Sequence, residues 1–217
     1  MKKFLDHDLF IFDVDGTLLD TSEGLINSTL YTINKLGLKK TDEQTLKSFV
    51  GPRIQDSMYS VYGLENEELK NACFIFRDHY KQGDVLLAKP YEGVFKLLDY
   101  LKANNKKMAV ATNKRQDFVD ALMEKYDLKK YFKSIYGTDF KGKLKKSDLI
   151  KLCIRDAGDV KYPVMIGDSE YDYEAATETG IDFIGVTYGF GFEKSYKINS
   201  KNQKIIDSLE DLYENND

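Results

Sequence analysis

Asp13 and Asp15, two residues apart, stand directly behind the apolar run Leu9-Phe10-Ile11-Phe12 and ahead of Gly16-Thr17. A short, continuous apolar run reads as a strand covered on both faces, the pattern of a parallel sheet. Carboxylates two apart on extended chain project to the same side, so both can serve one substrate at the carboxyl end of that strand, where ligands of such sheets collect. Gly16 permits a sharp turn and Thr17 offers a hydroxyl. Alone, this stretch also suits a plain Asp-Gly turn. Later strand ends supply further groups of the same kind. Thr112-Asn113 brings a hydroxyl and an amide able to hold an oxyanion, and Gly167 is followed by Asp168, Ser169 and Asp172. Lys146 heads a helical pattern (Leu149, Ile150, Cys153, Ile154) and can present an ammonium to a phosphate, with Lys143 and Lys145 as rivals. Converging acids in a chain whose histidines are His7 and His79 point to a hard divalent cation, because unneutralised carboxylates repel one another and resist ionisation. Mg2+ fits, since it binds through one or two carboxylates, waters and phosphate oxygens.

Those groups need a scaffold, and the periodicity supplies one. Strands are expected near residues 9–12, 108–112, 134–136, 164–167 and 183–186. Helical faces fall between them, with Val94, Leu97, Leu98 and Leu101 on one and Phe118, Val119, Leu122 and Tyr126 on another. Such alternation is the signature of a doubly wound, Rossmann-like α/β sheet. Residues 19–83 differ, carrying helical patterns and no convincing strand. Leu25, Ile26, Thr29, Leu30, Ile33 and Leu36 form one apolar face, Thr41 and Gln44 suggest a capping box, and a longer helix is expected near residues 65–80. The reading is therefore an α/β core domain over 1–18 and 84–217, interrupted by a small all-helical domain over 19–83.

Composition narrows the function classes. With 217 residues and a net charge of −4, the chain is long enough for a large core and has no basic excess for nucleic acid; the lysines at 141, 143, 145 and 146 read as a solvated loop with one functional member. No eighteen-residue apolar span suggests a membrane helix, and residues 1–8 lack the features of a signal peptide. Cys73 and Cys153 are in no metal-ligand spacing, which suits a reducing, cytoplasmic setting.

Taken in order, Asp13-x-Asp15-Gly16-Thr17, Thr112-Asn113, Lys146 and Gly167-Asp168-x-x-x-Asp172 resemble the four motifs of the haloacid dehalogenase superfamily, over nearly the whole chain. The helical insert is similar to that superfamily's cap. Phe49-Val50-Gly51-Pro52, Tyr91-x-Gly93-Val94, Gly142-Lys143, Lys146-x-Asp148-x-Ile150 and Val186-Thr187-Tyr188-Gly189 resemble its phosphoglycolate phosphatase-like branch. The resemblance implies that Asp13 is a nucleophile forming an aspartyl-phosphate and that Asp15 is the acid and base. It further implies Mg2+ at Asp13, the Asp15 backbone carbonyl and Asp168, with Asp172 a direct or indirect metal partner. Thr112 and Lys146 would stabilise the transferring phosphoryl group, Gly16, Thr17 and Asn113 would help bind substrate, and Ser169 would stand beside the reacting groups as a helper. The lysine spacing favours Lys146 over Lys145.

Within the superfamily, an aspartate at Asp15 points to phosphatases and phosphomutases. The β-phosphoglucomutase branch carries a histidine where this chain has Leu25, and its cap arginine would align with Ile54, which argues against a mutase. Arg53 is the first candidate for a specificity contact, ahead of Arg77 and Tyr80. Phosphoglycolate is the first-ranked substrate, with a 5′-nucleotide or a sugar phosphate as alternatives, and the protein is expected to act as a monomer or homodimer. A non-catalytic phosphate-binding protein would ordinarily have lost Asp13, Asp15 or Asp168, and none is lost.

Overall fold

Leu9–Phe12 (β1) is completely buried, as its uninterrupted apolar run requires, and lies in the middle of a six-stranded sheet. The computed structural model describes residues 2–139, 143–196 and 202–213; Lys141 and Gly142 of the motifs above lie outside them. After β1 the chain runs through a short strand, β2 (Leu19–Asp20), and four helices, α1 (Ser22–Lys35), α2 (Glu43–Lys47), α3 (Ile54–Tyr62) and α4 (Asn66–Tyr80). It returns through β3 (Lys89–Pro90), which pairs with β2. The alternation that follows is α5 (Val94–Ala103), β4 (Lys107–Arg115), α6 (Gln116–Lys125), β5 (Ser134–Thr138), α7 (Lys146–Ala157), β6 (Pro163–Gly167), α8 (Glu170–Thr179), β7 (Asp182–Val186) and β8 (Gln203–Ile206). The strand order is β5-β4-β1-β6-β7-β8, all parallel.

Two compact units result, residues 1–19 with 90–217, and residues 20–89. In the first, alternate residues of each strand face opposite sides of the sheet. Leu9 and Ile11 of β1 join Ala109, Ala111 and Met165 under Leu149, Ile150 and Cys153 of α7 and Ala175 and Ala176 of α8. The intervening Phe10 and Phe12 are equally buried, with Phe12 against Phe132 at 6.1 Å between ring centres. At the amino ends of the strands, the buried His7 ring is held by the Phe4 carbonyl at 3.0 Å and by Asp182 at 2.9 Å, a structural tie between the segment before β1 and the start of β7. Among the described residues no helix is long and apolar enough to cross a membrane.

In the second unit, Phe49, Met58 and Ala72 form a small core. The cap of α2 is Asp42, whose carboxylate accepts from the Thr45 amide at 2.7 Å; Thr41, expected to open a capping box with Gln44, does not take that role. Residues 84–89 belong with these helices rather than with the sheet. Asp84 accepts from the Ser28 hydroxyl at 2.6 Å, and Gly24 of α1 leaves space for the Asp84 carbonyl, which an added Cβ would approach to 2.0 Å. His79 Nδ1 also faces Asp84 at 3.1 Å and Ser28 at 3.3 Å. Because serine and aspartate meet the same ring nitrogen, this trio is a structural knot and not a relay, which needs them on opposite nitrogens.

Candidate active site

The carboxyl ends of β1, β4 and β6 and the first turns of α7 and α8 meet in the first unit. Asp13 keeps its amide in the sheet, donating to the Ile166 carbonyl at 2.9 Å, so the carboxylate is delivered by a rigid backbone. The chain then turns on Gly16, whose φ of +80° suits glycine. Glycine is required there for a second reason. A Cβ on Gly16 would lie 2.1 Å from an Asp168 carboxylate oxygen, and one on Gly189 would lie 2.3 Å from the Gly16 carbonyl. Main-chain groups thereby close around Asp168, whose Oδ2 accepts from the Phe190 amide at 2.7 Å and the Gly191 amide at 3.2 Å.

Asp172 has two duties, one per oxygen. Its Oδ2 accepts from the Ser169 amide at 3.1 Å and the Ser169 hydroxyl at 2.6 Å, capping α8, while Oδ1 pairs with Lys146. Lys146 is the first residue of α7, where a cation opposes the helix dipole. Its burial there is offset by ion pairs to Asp172 and, at 2.9 Å, to Asp13 Oδ1. Lys145 is exposed, with its amide on Asp148 at 3.1 Å. Geometry thus brings Lys146, and not Lys145, to the aspartates.

Thr112 is buried, and its hydroxyl oxygen accepts from the Lys114 amide at 3.2 Å. Asn113 is partly buried, and its main-chain carbonyl accepts from Thr138 at 3.2 Å. The Thr17 carbonyl accepts from the Tyr188 hydroxyl at 2.8 Å, while the Thr17 side-chain oxygen is buried without a hydrogen-bond partner. Arg53 belongs to the other unit, where it precedes α3 and pairs with Asp56 at 2.9 Å on the exposed surface. Sequence reasoning missed Lys114, whose ammonium lies 2.9 and 3.1 Å from the two carboxylate oxygens of Asp15. It also missed the main-chain donors at Phe190 and Gly191.

Crowded acids shift one another. Burial, reinforced by the charges of Asp172 and Asp13, pushes the Asp168 carboxyl up to about 8. Burial also pushes Asp13 up to about 6; the Lys146 ammonium opposes the rise, and the charges of Asp172 and Asp15 add to it. For Lys146 burial works against the ammonium, but the two carboxylates outweigh it and hold the group above the usual lysine range.

Asp13, Asp168 and Asp172 bring carboxylate oxygens within 4.8 Å of one another, an all-oxygen donor set suited to a hard divalent cation. The raised carboxyls at Asp13 and Asp168 show the charge such an ion would neutralise. Of the four aspartates read as metal ligands, Asp15 is the exception. It lies outside the cluster of Asp13, Asp168 and Asp172, and its carboxylate is engaged by Lys114 at 2.9 Å.

A family model described as haloacid dehalogenase-like hydrolase matches residues 10–186, a span that includes every group just described except Phe190, Gly191, Tyr188 and Gly189. The chain belongs to the haloacid dehalogenase-like hydrolases. It is 34% identical to a phosphoglycolate phosphatase of Agrobacterium fabrum, over 84% of this chain and 81% of the relative. It is 30% identical to a 5′-nucleotidase of Pseudomonas aeruginosa, over 84% of each. A crystal structure of a predicted phosphatase from Clostridium acetobutylicum superposes with a TM-score of 0.86 at 34% identity, covering 96% of this chain and 97% of that one. This haloacid dehalogenase-like hydrolase is a phosphatase.

Proposed function

We propose that this phosphatase hydrolyses the monoester of a small phosphorylated metabolite with Mg2+, through a phosphoryl group carried on Asp13. The observation that carries the reading is Asp13 itself, a rigidly mounted carboxylate with an ammonium 2.9 Å from one oxygen and two further carboxylates beside it. An Asp13 oxygen attacks phosphorus as the bond to the ester oxygen breaks, and Asp15 gives that oxygen its proton. Asp15 then takes a proton from the water whose oxygen displaces Asp13, releasing inorganic phosphate. Lys146 and the Thr112 hydroxyl face the charge on the transferring group. Asp13, Asp168 and the Asp15 carbonyl, with Asp172 beside them, would hold Mg2+, which when bound offsets the charge of carboxylates and phosphate.

Phosphoglycolate is ranked first as substrate, in keeping with the resemblance of the tail Thr187-Tyr188-Gly189 and with the Agrobacterium relative; a 5′-nucleotide is second, in keeping with the Pseudomonas relative. The test is phosphate release from phosphoglycolate, nucleoside monophosphates, hexose phosphates and pyrophosphate, with and without Mg2+. Mg2+-dependent release from one ester class is expected, and silence across the panel with folded, Mg2+-loaded protein overturns the proposal. Arg53→Ala should reorder the natural esters while changing the rate on p-nitrophenyl phosphate by only about twofold, because a guanidinium reading an anionic group contributes where that group exists. Equal losses on every ester would remove Arg53 as a specificity residue.

A further inference from the structure

We propose that Lys114 is a positioning residue for Asp15, fixing the carboxylate where it can reach the oxygen that leaves phosphorus. The inference rests on the reading of Asp15 as proton carrier. Lys114 is buried, an expensive place for an ammonium unless it is paired. Its Nζ meets both Asp15 oxygens, at 2.9 and 3.1 Å, a two-point contact that removes the free rotation a lone aspartate would keep. Its amide donates to the Thr112 hydroxyl oxygen at 3.2 Å. One residue thus joins the proton carrier to the threonine that faces the phosphoryl group.

A local irregularity in the sheet puts Lys114 there. Along β4 and β5, Ala111 pairs with Tyr136 but Arg115 pairs with Thr138, so three residues of β4 oppose Gly137 alone. Such a bulge re-aims side chains beside active sites. Gly137 is its counterpart: a Cβ there would come within 2.6 Å of the Lys114 carbonyl, and its amide is held by the Gln116 side chain at 2.6 Å. The device directs Lys114 at Asp15 and costs the sheet one ladder step.

Leaving-group dependence separates positioning from mere support, because an alkoxide needs a proton as it departs and p-nitrophenolate does not. The fastest alkyl ester of the panel and p-nitrophenyl phosphate would be compared in the wild type, Lys114→Met, Lys114→Gln, Lys114→Arg and Asp15→Asn, in Mg2+. Lys114→Met should lose about 30-fold in kcat on the alkyl ester, about threefold on p-nitrophenyl phosphate, and little in KM, with Lys114→Arg recovering part of the loss. If Lys114→Met fails to fold, Lys114→Gln carries the same expectation. Equal losses on both esters, or an unchanged or raised rate on the alkyl ester, overturn the proposal while Asp15→Asn remains selectively impaired. Absence of that selectivity in Asp15→Asn removes the proton-carrier reading itself, and the proposal with it.

Discussion

Asp13→Asn is expected to lower phosphate release by about four orders of magnitude or more, since the amide cannot form the phosphoryl-carrying bond and effects of this size follow removal of a nucleophile. The fold should survive. Asn matches Asp in shape, the Asp13 amide still bonds the Ile166 carbonyl, and Lys146 keeps its partner in Asp172. Stability in metal-free buffer near pH 8 should equal or exceed that of the wild type, because the substitution removes one of the mutually repelling buried charges. Thermal melting and single-turnover assays check the two halves separately. Turnover in Asp13→Asn comparable to the wild type would end the covalent reading, whatever the substrate.

Mg2+ should stabilise the protein strongly at pH 8 and weakly at pH 5. The sign follows from the raised carboxyls: Asp13 at about 6 and Asp168 at about 8 lie above the ordinary value of 3.8 that the unfolded chain would show. Between pH 4 and 8 the folded protein therefore binds more protons than the unfolded one, and metal-free stability falls as pH rises through that window. A divalent cation replaces those protons, so its effect grows over the same range. At about 100 times its dissociation constant, Mg2+ should raise the melting temperature by roughly 5–10 °C at pH 8. Asp168→Asn should abolish the heat of Mg2+ binding in calorimetry and flatten the metal-free pH dependence. An equal Mg2+ shift at both pH values, or unchanged affinity in Asp168→Asn, would contradict the site.

Much of this arrangement was legible in the residue order, for identifiable reasons. Asp13, Asp168 and Thr112 sit at the ends of short apolar runs that read as buried parallel strands, and the carboxyl ends of such strands gather at one edge of a sheet. Lys146 was separable from Lys145 only through the resemblance of Lys146-x-Asp148-x-Ile150 to the family's motif. Lys114 was not legible, because its direction depends on the bulge opposite Gly137, a register shift between strands that no local pattern encodes. For the same reason β4 was read as ending at Thr112, although it runs to Arg115. β8 was missed because Gln203-Lys204-Ile205-Ile206 is a four-residue edge strand with two polar members. The sequence boundary at residue 84 differs from the division of the structure, where residues 84–89 go with the helices and Asp84 meets Ser28, His79 and the backbone at Gly24.

The strand order has a consequence for the protein's life before it is an enzyme. The first strand to be synthesised is the one that ends in the middle: Leu9 pairs on one side with Lys107 and on the other with Pro163. At synthesis rates of about 5–20 residues per second, Leu-Phe-Ile-Phe waits on the order of ten seconds or more for its second neighbour. During that interval a short, uncharged, strand-prone apolar segment is available to chaperones and to other nascent chains. Residues 20–89, whose contacts are closer in sequence, need not wait. Seating the nucleophile behind an inner strand leaves the first apolar segment to be made without its second neighbour until β6 is synthesised.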